Sequence, residues 1–143
     1  MEHSVLIVDD CLTTRRLVSM YLKSAGYSLV QAENGFDALE KLAQGPVDLI
    51  VTDMNMPRMD GVALTRALKQ DPTLEAIPVL MLTTENAESE RAKGVAAGVS
   101  AYLTKPVAQG RLLEEVRRLI DLQPAVLSEP SGGEDDPTSM ETA

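Results

Sequence analysis

The sequence has one cysteine, Cys11, and one histidine, His3, in 143 residues, which excludes an internal disulfide framework and a Cys/His zinc cluster within the chain. Positive charge is also scarce: 13 Lys and Arg stand against 22 Asp and Glu, a net charge of -9. That sign works against a nucleic-acid surface, so no direct nucleic-acid partner is expected. Long apolar runs are missing. None approaches the length of a bilayer span, and the opening MEHSVLIVDDC meets two acids too early for a signal-peptide core. The expectation is a cytoplasmic protein without membrane insertion. What is present is an ordinary globular composition, 44% hydrophobic and 24% charged, in a chain of single-domain length that can bury a core without staples.

The acid excess is unevenly placed. Residues 123–143 carry five acids, Glu129, Glu134, Asp135, Asp136 and Glu141, and no Lys or Arg; the remaining 17 acids against 13 bases leave a net of only -4 for residues 1–122. The same terminal segment holds Pro124, Pro130, Pro137 and the Gly132-Gly133 pair, a composition that buries too little apolar surface to offset ordering entropy. Two parts are therefore expected, a folded domain over 1–122 and a disordered acidic tail over 123–143 that serves as a solubilising end.

Within the first part, short apolar runs alternate with longer amphipathic stretches. VLIV, SLVQA, VDLIVT, IPVLMLT and AYLT are separated by LVSMYLKSA, ALEKLA, the segment before Asp71-Pro72, and NAESERAKGVAAG, and QGRLLEEVRRLIDL closes the series. Runs of Val, Ile and Leu without polar alternation fit parallel strands buried on both faces, with crossover helices as the cover. This is a βα unit repeated five times. Gly26, Gly45-Pro46, Asp71-Pro72 and Gly98 stand where the first four helices should end, and Thr13 or Thr14 is a suitable N-cap for the first.

Polar residues gather at one end of each run. Asp9 and Asp10 close the first strand, Asp53 the third, Thr83 and Thr84 the fourth, and Lys105 the fifth. In an open parallel sheet with right-handed crossovers these carboxyl ends share one edge, so the residues converge on a single crevice. Three carboxylates placed together need a cation, either Lys105 or a divalent ion, and oxygen donors without His or Cys point to magnesium. Such a group suits phosphoryl transfer. A carboxylate attacks phosphorus once the incoming oxygens are neutralised by metal and ammonium, with a hydroxyl hydrogen-bonding a third oxygen; Asp53, Lys105 and Thr83 are of these types.

VLIVDDCLTTRRLV, VTDMNMPRMDG, VLMLTTE and AYLTKP, at these spacings, resemble the receiver domains of two-component response regulators, and among them the single-domain chemotaxis regulators of the CheY type. The resemblance covers residues 4–122. It implies a doubly wound, flavodoxin-like (βα)5 fold, a five-stranded parallel sheet in the order 2-1-3-4-5. It implies Asp53 as phosphoacceptor, Mg2+ held by Asp9, Asp10, Asp53 and the backbone carbonyl of Asn55, phosphoryl contacts from Thr83 and Lys105, and Tyr102 as the switch aromatic. The implied partners are a sensor histidine kinase, whose phosphohistidine is the donor, and a protein target bound according to phosphorylation. A monomer or weak dimer is expected. The resemblance implies a signalling domain that assists its own phosphorylation and dephosphorylation, not an enzyme acting on other molecules, with chemotaxis or motility as the pathway.

Some positions depart from the family's commonest pattern. Thr84 is larger than the small residue usual there, which bears on access to the phosphoryl group, and Val107 stands where Phe is common, a change of packing rather than chemistry. Cys11 reads as a small, buried or half-buried apolar filler, and Arg15-Arg16 as either a surface charge pair or a kinase-steering pair. Two other readings stay open. One is a phosphate reservoir with no target of its own. The other is a haloacid-dehalogenase-like phosphatase, which expects an acid two residues after its nucleophile, where this chain has Asn55, an amide that cannot donate the proton.

Overall fold

The computed structural model describes residues 3–84 and 88–122. Five strands and five helices alternate: β1 (Ser4–Val8), α1 (Leu12–Ser24), β2 (Ser28–Ala32), α2 (Gly35–Gln44), β3 (Leu49–Asp53), α3 (Gly61–Lys69), β4 (Val79–Thr83), α4 (Glu88–Ala97), β5 (Ala101–Thr104) and α5 (Gln109–Asp121). All pairings are parallel and the strand order is β2-β1-β3-β4-β5, the order that the family resemblance implies. The acidic segment assigned to 123–143 lies outside the described residues. None of the described helices is long and apolar enough to cross a membrane.

The continuous apolar runs conceal a division between two faces. In β1, Val5 and Ile7 join Leu49, Val51, Leu80 and Leu82 beneath α1 and α5, while Leu6, Val8, Ile50 and Val79 join α2 and α3 on the opposite face. Alternate side chains of a strand point to opposite faces, so one run of Val, Ile and Leu supplies both cores. The helices answer with their own period. Leu112, Val116, Leu119 and Ile120 form one stripe of α5, and Ala38 with Leu42, and Leu64 with Leu68, form shorter stripes on α2 and α3. The central strands β3 and β4 are buried throughout, whereas the edge strands β2 and β5 are partly open. Val107, singled out as a packing change, is buried in the α1/α5-side core.

Helix ends follow the sequence at the C-termini. Gly26 and Gly98 take φ of +96° and +108° immediately beyond α1 and α4, the left-handed conformation in which glycine carries no Cβ penalty. The start of α1 corrects the reading of Thr13 or Thr14 as its N-cap: Cys11 caps the helix, with extended backbone, and Thr13 and Thr14 lie inside it. Asp9 causes the early start, because its Oδ1 accepts the Cys11 N–H at 2.8 Å while the Cys11 carbonyl already accepts from Arg15 N–H at 2.9 Å. Cys11 is consequently exposed at the mouth of the helix and is not the buried filler expected of it.

Candidate functional site

The chain winds to one side of β1 through β2 and to the other through β3, so the crevice at the carboxyl edge opens where β1 and β3 lie side by side. Val8 pairs with Thr52 in register, which places the next residues, Asp9 and Asp53, as neighbours across the strand ends. Asp9 and Asp53 are buried, at 2% and 7% exposure, and Asp10 is exposed above them. One carboxylate oxygen from each of the three lies within 4.8 Å of the others. Lys105, directly after β5, reaches in from the far side: its Nζ is 3.0 Å from Asp53 Oδ1 and 3.2 Å from Asp9 Oδ2. Residues 96 positions apart in the chain thus meet in one ion pair.

Three carboxylates against one ammonium leave the crevice negative. Burial pushes the Asp53 carboxyl above its ordinary range; the hydrogen bond from Lys105 opposes that rise, and the charges of Asp9 and Asp10 add to it. Burial alone would pull the Lys105 ammonium down, but its hydrogen bonds and ion pairs with Asp53 and Asp9 outweigh burial and hold it above the usual lysine range. The donor set consists of hard oxygens with unbalanced negative charge, which fits a small divalent cation such as magnesium. Asp9 is the most engaged of the three, since Oδ1 accepts from Cys11 N–H and Oδ2 from Lys105.

Thr83 ends β4, buried at 1% exposure and one residue beyond Leu82, the register partner of Asp53. The Lys105 N–H donates to the Thr83 carbonyl at 2.8 Å, so the strand end carrying the hydroxyl is tied directly to the residue carrying the ammonium. Thr84 is exposed beside it, and Asn55 is exposed two residues beyond Asp53. Tyr102 stands apart from the acids. It pairs in register with Met81, and its hydroxyl donates to the Arg91 carbonyl on α4 at 2.7 Å, with the Arg91 guanidinium 5.5 Å from the ring centroid.

Several supporting residues were not foreseen from the sequence. Arg15, left open there, donates from Nη1 to the Asp9 carbonyl at 2.7 Å and from Nε to Gln31 Oε1 at 3.1 Å, which braces the acidic turn against β2. Gly61, at the start of α3, backs onto the end of β3 so closely that a Cβ there would lie 2.4 Å from the Asp53 carbonyl oxygen. Gly35 meets Met59 in the same manner at the start of α2, and Arg58 holds φ of 71° with its guanidinium 5.2 Å from the Phe36 ring centroid. These contacts hold the loop between β3 and α3 against its neighbours. The DG pair in RMDG is the one sequence signal for any of them, since Asp60 caps α3 through Ala63 N–H at 2.8 Å and a glycine follows it.

Buried Asp9 with exposed Asp10 beside it, Asp53 at the end of β3 against Lys105 just beyond β5, and Thr83 at the end of β4 between them are accompanied by a family-model match. Residues 5–117 match the response regulator receiver domain. The chain belongs to that family. As a receiver domain it is 37% identical over 118 residues to the chemotaxis protein CheY-3 of Vibrio cholerae, covering 82% of this chain and 91% of that protein. The chemotaxis response regulator CheY4 of Vibrio cholerae superposes with a TM-score of 0.79 at 35% identity, covering 83% of this chain and 99% of that structure. The receiver domain of a sensor histidine kinase from Pseudomonas aeruginosa, with a magnesium ion coordinated in its active-site cleft, superposes with a TM-score of 0.79 at 25% identity, over 85% of this chain and 99% of that one.

Proposed function

We propose that this receiver domain is a phosphorylation-switched response regulator of a chemotaxis or motility pathway, taking a phosphoryl group from the phosphohistidine of a cytoplasmic sensor histidine kinase onto Asp53. The reading rests above all on one observation: Asp53 sits at the centre of the crevice, bonded to Lys105 and within carboxylate contact of Asp9 and Asp10. Asp53 attacks phosphorus through a carboxylate oxygen; the new O–P bond forms as the P–N bond breaks, and its electron pair returns to the donor imidazole. Lys105 neutralises one phosphoryl oxygen, and the Thr83 hydroxyl hydrogen-bonds another once the group is in place. Asp10 and Asp53, with Asp9 and the Asn55 carbonyl, would hold Mg2+, which when bound offsets the charge of carboxylates and phosphoryl oxygens alike.

Output follows from the same contacts. New negative charge at Asp53 draws Thr83 and Lys105 inward, shifts the end of β4, and changes the position of Tyr102, altering the α4–β5–α5 surface that a target protein reads. The folded receiver occupies residues 1–122, and the acidic tail over 123–143 takes no part in the chemistry. Incubation with acetyl phosphate and magnesium, followed by intact-mass measurement, tests the acceptor. One phosphoryl adduct is expected on the wild type and none on Asp53→Asn; an adduct of equal stoichiometry on the variant refutes the assignment.

A further inference from the structure

Gly94 is an anomaly within α4. Glycine is the least favourable residue in a helix interior apart from proline, and Gly94 does not lie in the left-handed region where glycine is needed for its backbone. Its reason is space. A Cβ built there would lie 1.5 Å from the Tyr102 hydroxyl oxygen and 2.6 Å from Cζ of the same ring, distances at which the two groups cannot coexist. Gly94 is buried against the hydroxyl end of that ring, while Arg91, one turn earlier on the helix, accepts the hydroxyl's hydrogen bond through its carbonyl and has its guanidinium over the ring. The tyrosine's tip fits the space left by the missing side chain and bonds a backbone acceptor there, and a cation lies over its ring.

We infer that Gly94 is a positioning residue for Tyr102: the absent side chain at 94 is the seat that holds the ring on α4 in the unphosphorylated protein, and phosphorylation works by emptying it. This rests on the reading of Tyr102 as the switch aromatic. The obstructing atoms belong to the far end of a side chain that can change its χ1 rotamer once its hydrogen bond to Arg91 is given up, so a methyl at 94 moves the ring instead of the backbone. Gly94→Ala should therefore turn the ring out with no phosphate at Asp53. A ring released this way presents the altered α4–β5 surface constitutively. Arg91 contributes through its carbonyl, which no substitution removes, and through its guanidinium, which Arg91→Ala does remove; that variant loosens the ring without expelling it.

The chain has three tyrosines, Tyr21, Tyr27 and Tyr102, so protein labelled with 3-fluorotyrosine gives three 19F resonances, assigned through single Tyr→Phe variants. In Gly94→Ala the Tyr102 resonance is expected to leave its wild-type position, with Tyr21 and Tyr27 unmoved, and to coincide with the position that wild type reaches with acetyl phosphate and magnesium. An unmoved Tyr102 resonance in a folded Gly94→Ala protein overturns the seat. If Gly94→Ala moves the resonance and phosphorylation of wild type does not, the seat stands and the switch reading of Tyr102 fails, so the two failures are distinguishable. A second measurement is independent of spectra. Gly94→Ala should raise Tm more in a Tyr102→Ala background than in wild type, because the helix-propensity gain is common to both and only wild type loses the seated ring; additive effects in this cycle also overturn the proposal.

Discussion

Asp53 carries conflicting demands, since the burial that would shield a phosphoryl group in the proposed function also penalises the free carboxylate. Its raised pKa, caused first by burial, means that the charged form costs folding stability. The folded-state value lies above the unfolded one, so this cost is absent below the unfolded value of about 3.9 and complete above the folded value. Without magnesium, Asp53→Asn should thus raise stability at pH 7 by on the order of 1 kcal/mol, with the gain disappearing in acid; thermal melts across pH check both sign and window. Asp10, the exposed member, has solvent on one side and should matter for metal alone. Asp10→Ala is expected to lower magnesium affinity at least tenfold by calorimetry while leaving Tm nearly unchanged, and unchanged affinity would place the ion elsewhere. At this scale the site acids and Lys105 were readable because strand-end polar residues stood out from apolar runs. Arg15 was not, because an arginine on a first helical turn has the same sequence pattern whether it turns to the Asp9 carbonyl or to water.

The helices position the site through their starts and their buried stripes. At the start of α3, a Cβ at position 61 would meet both the Asp53 carbonyl and Met81, so Gly61→Ala forces a shift of backbone against backbone at the end of β3. A loss of about 1–3 kcal/mol by denaturant unfolding, together with slower labelling by acetyl phosphate, is the expected outcome. On α5, Glu115 is buried among apolar neighbours and bonded to both Arg118 and Arg111. Its hydrogen bonds, those from Arg118 first, hold its pKa below the ordinary range. The stability it contributes is present above the unfolded value of about 4.3 and is lost as pH falls through the lowered folded value. Because both arginines are about half exposed, Glu115→Gln should cost no more than about 1 kcal/mol at pH 7, a difference that chemical denaturation should see vanish as pH falls through the folded value. Helix C-termini were legible from Gly26 and Gly98, whose left-handed backbone is a local property. The start of α1 was not, since the group that sets it, the Asp9 carboxylate, acts from outside the helix.

For the whole molecule, net negative charge is densest in residues 123–143, which hold five acids and no base, and none of the crevice residues. Truncation after Leu122 should leave the rate of labelling by acetyl phosphate unchanged within about twofold, and a larger loss with an intact circular dichroism spectrum would mean that the tail acts on the crevice. The parallel sheet and the edge carrying the polar residues were legible in the pattern of the chain itself, whereas the strand order came from the family resemblance. Five apolar runs separated by helix-length segments admit few right-handed, doubly wound arrangements, and polar residues at the carboxyl ends can then meet only along one edge. Close approach was decided by tertiary structure alone. The distance from Lys105 to Asp53 and Asp9, and the glycines at 35, 61 and 94 that give way to Met59, the Asp53 carbonyl and the Tyr102 hydroxyl, each depend on how two separate elements pack. A sequence expresses local conformational preference and the period of its apolar residues, and which atoms fill the space beside a given Cα is set only when the elements pack.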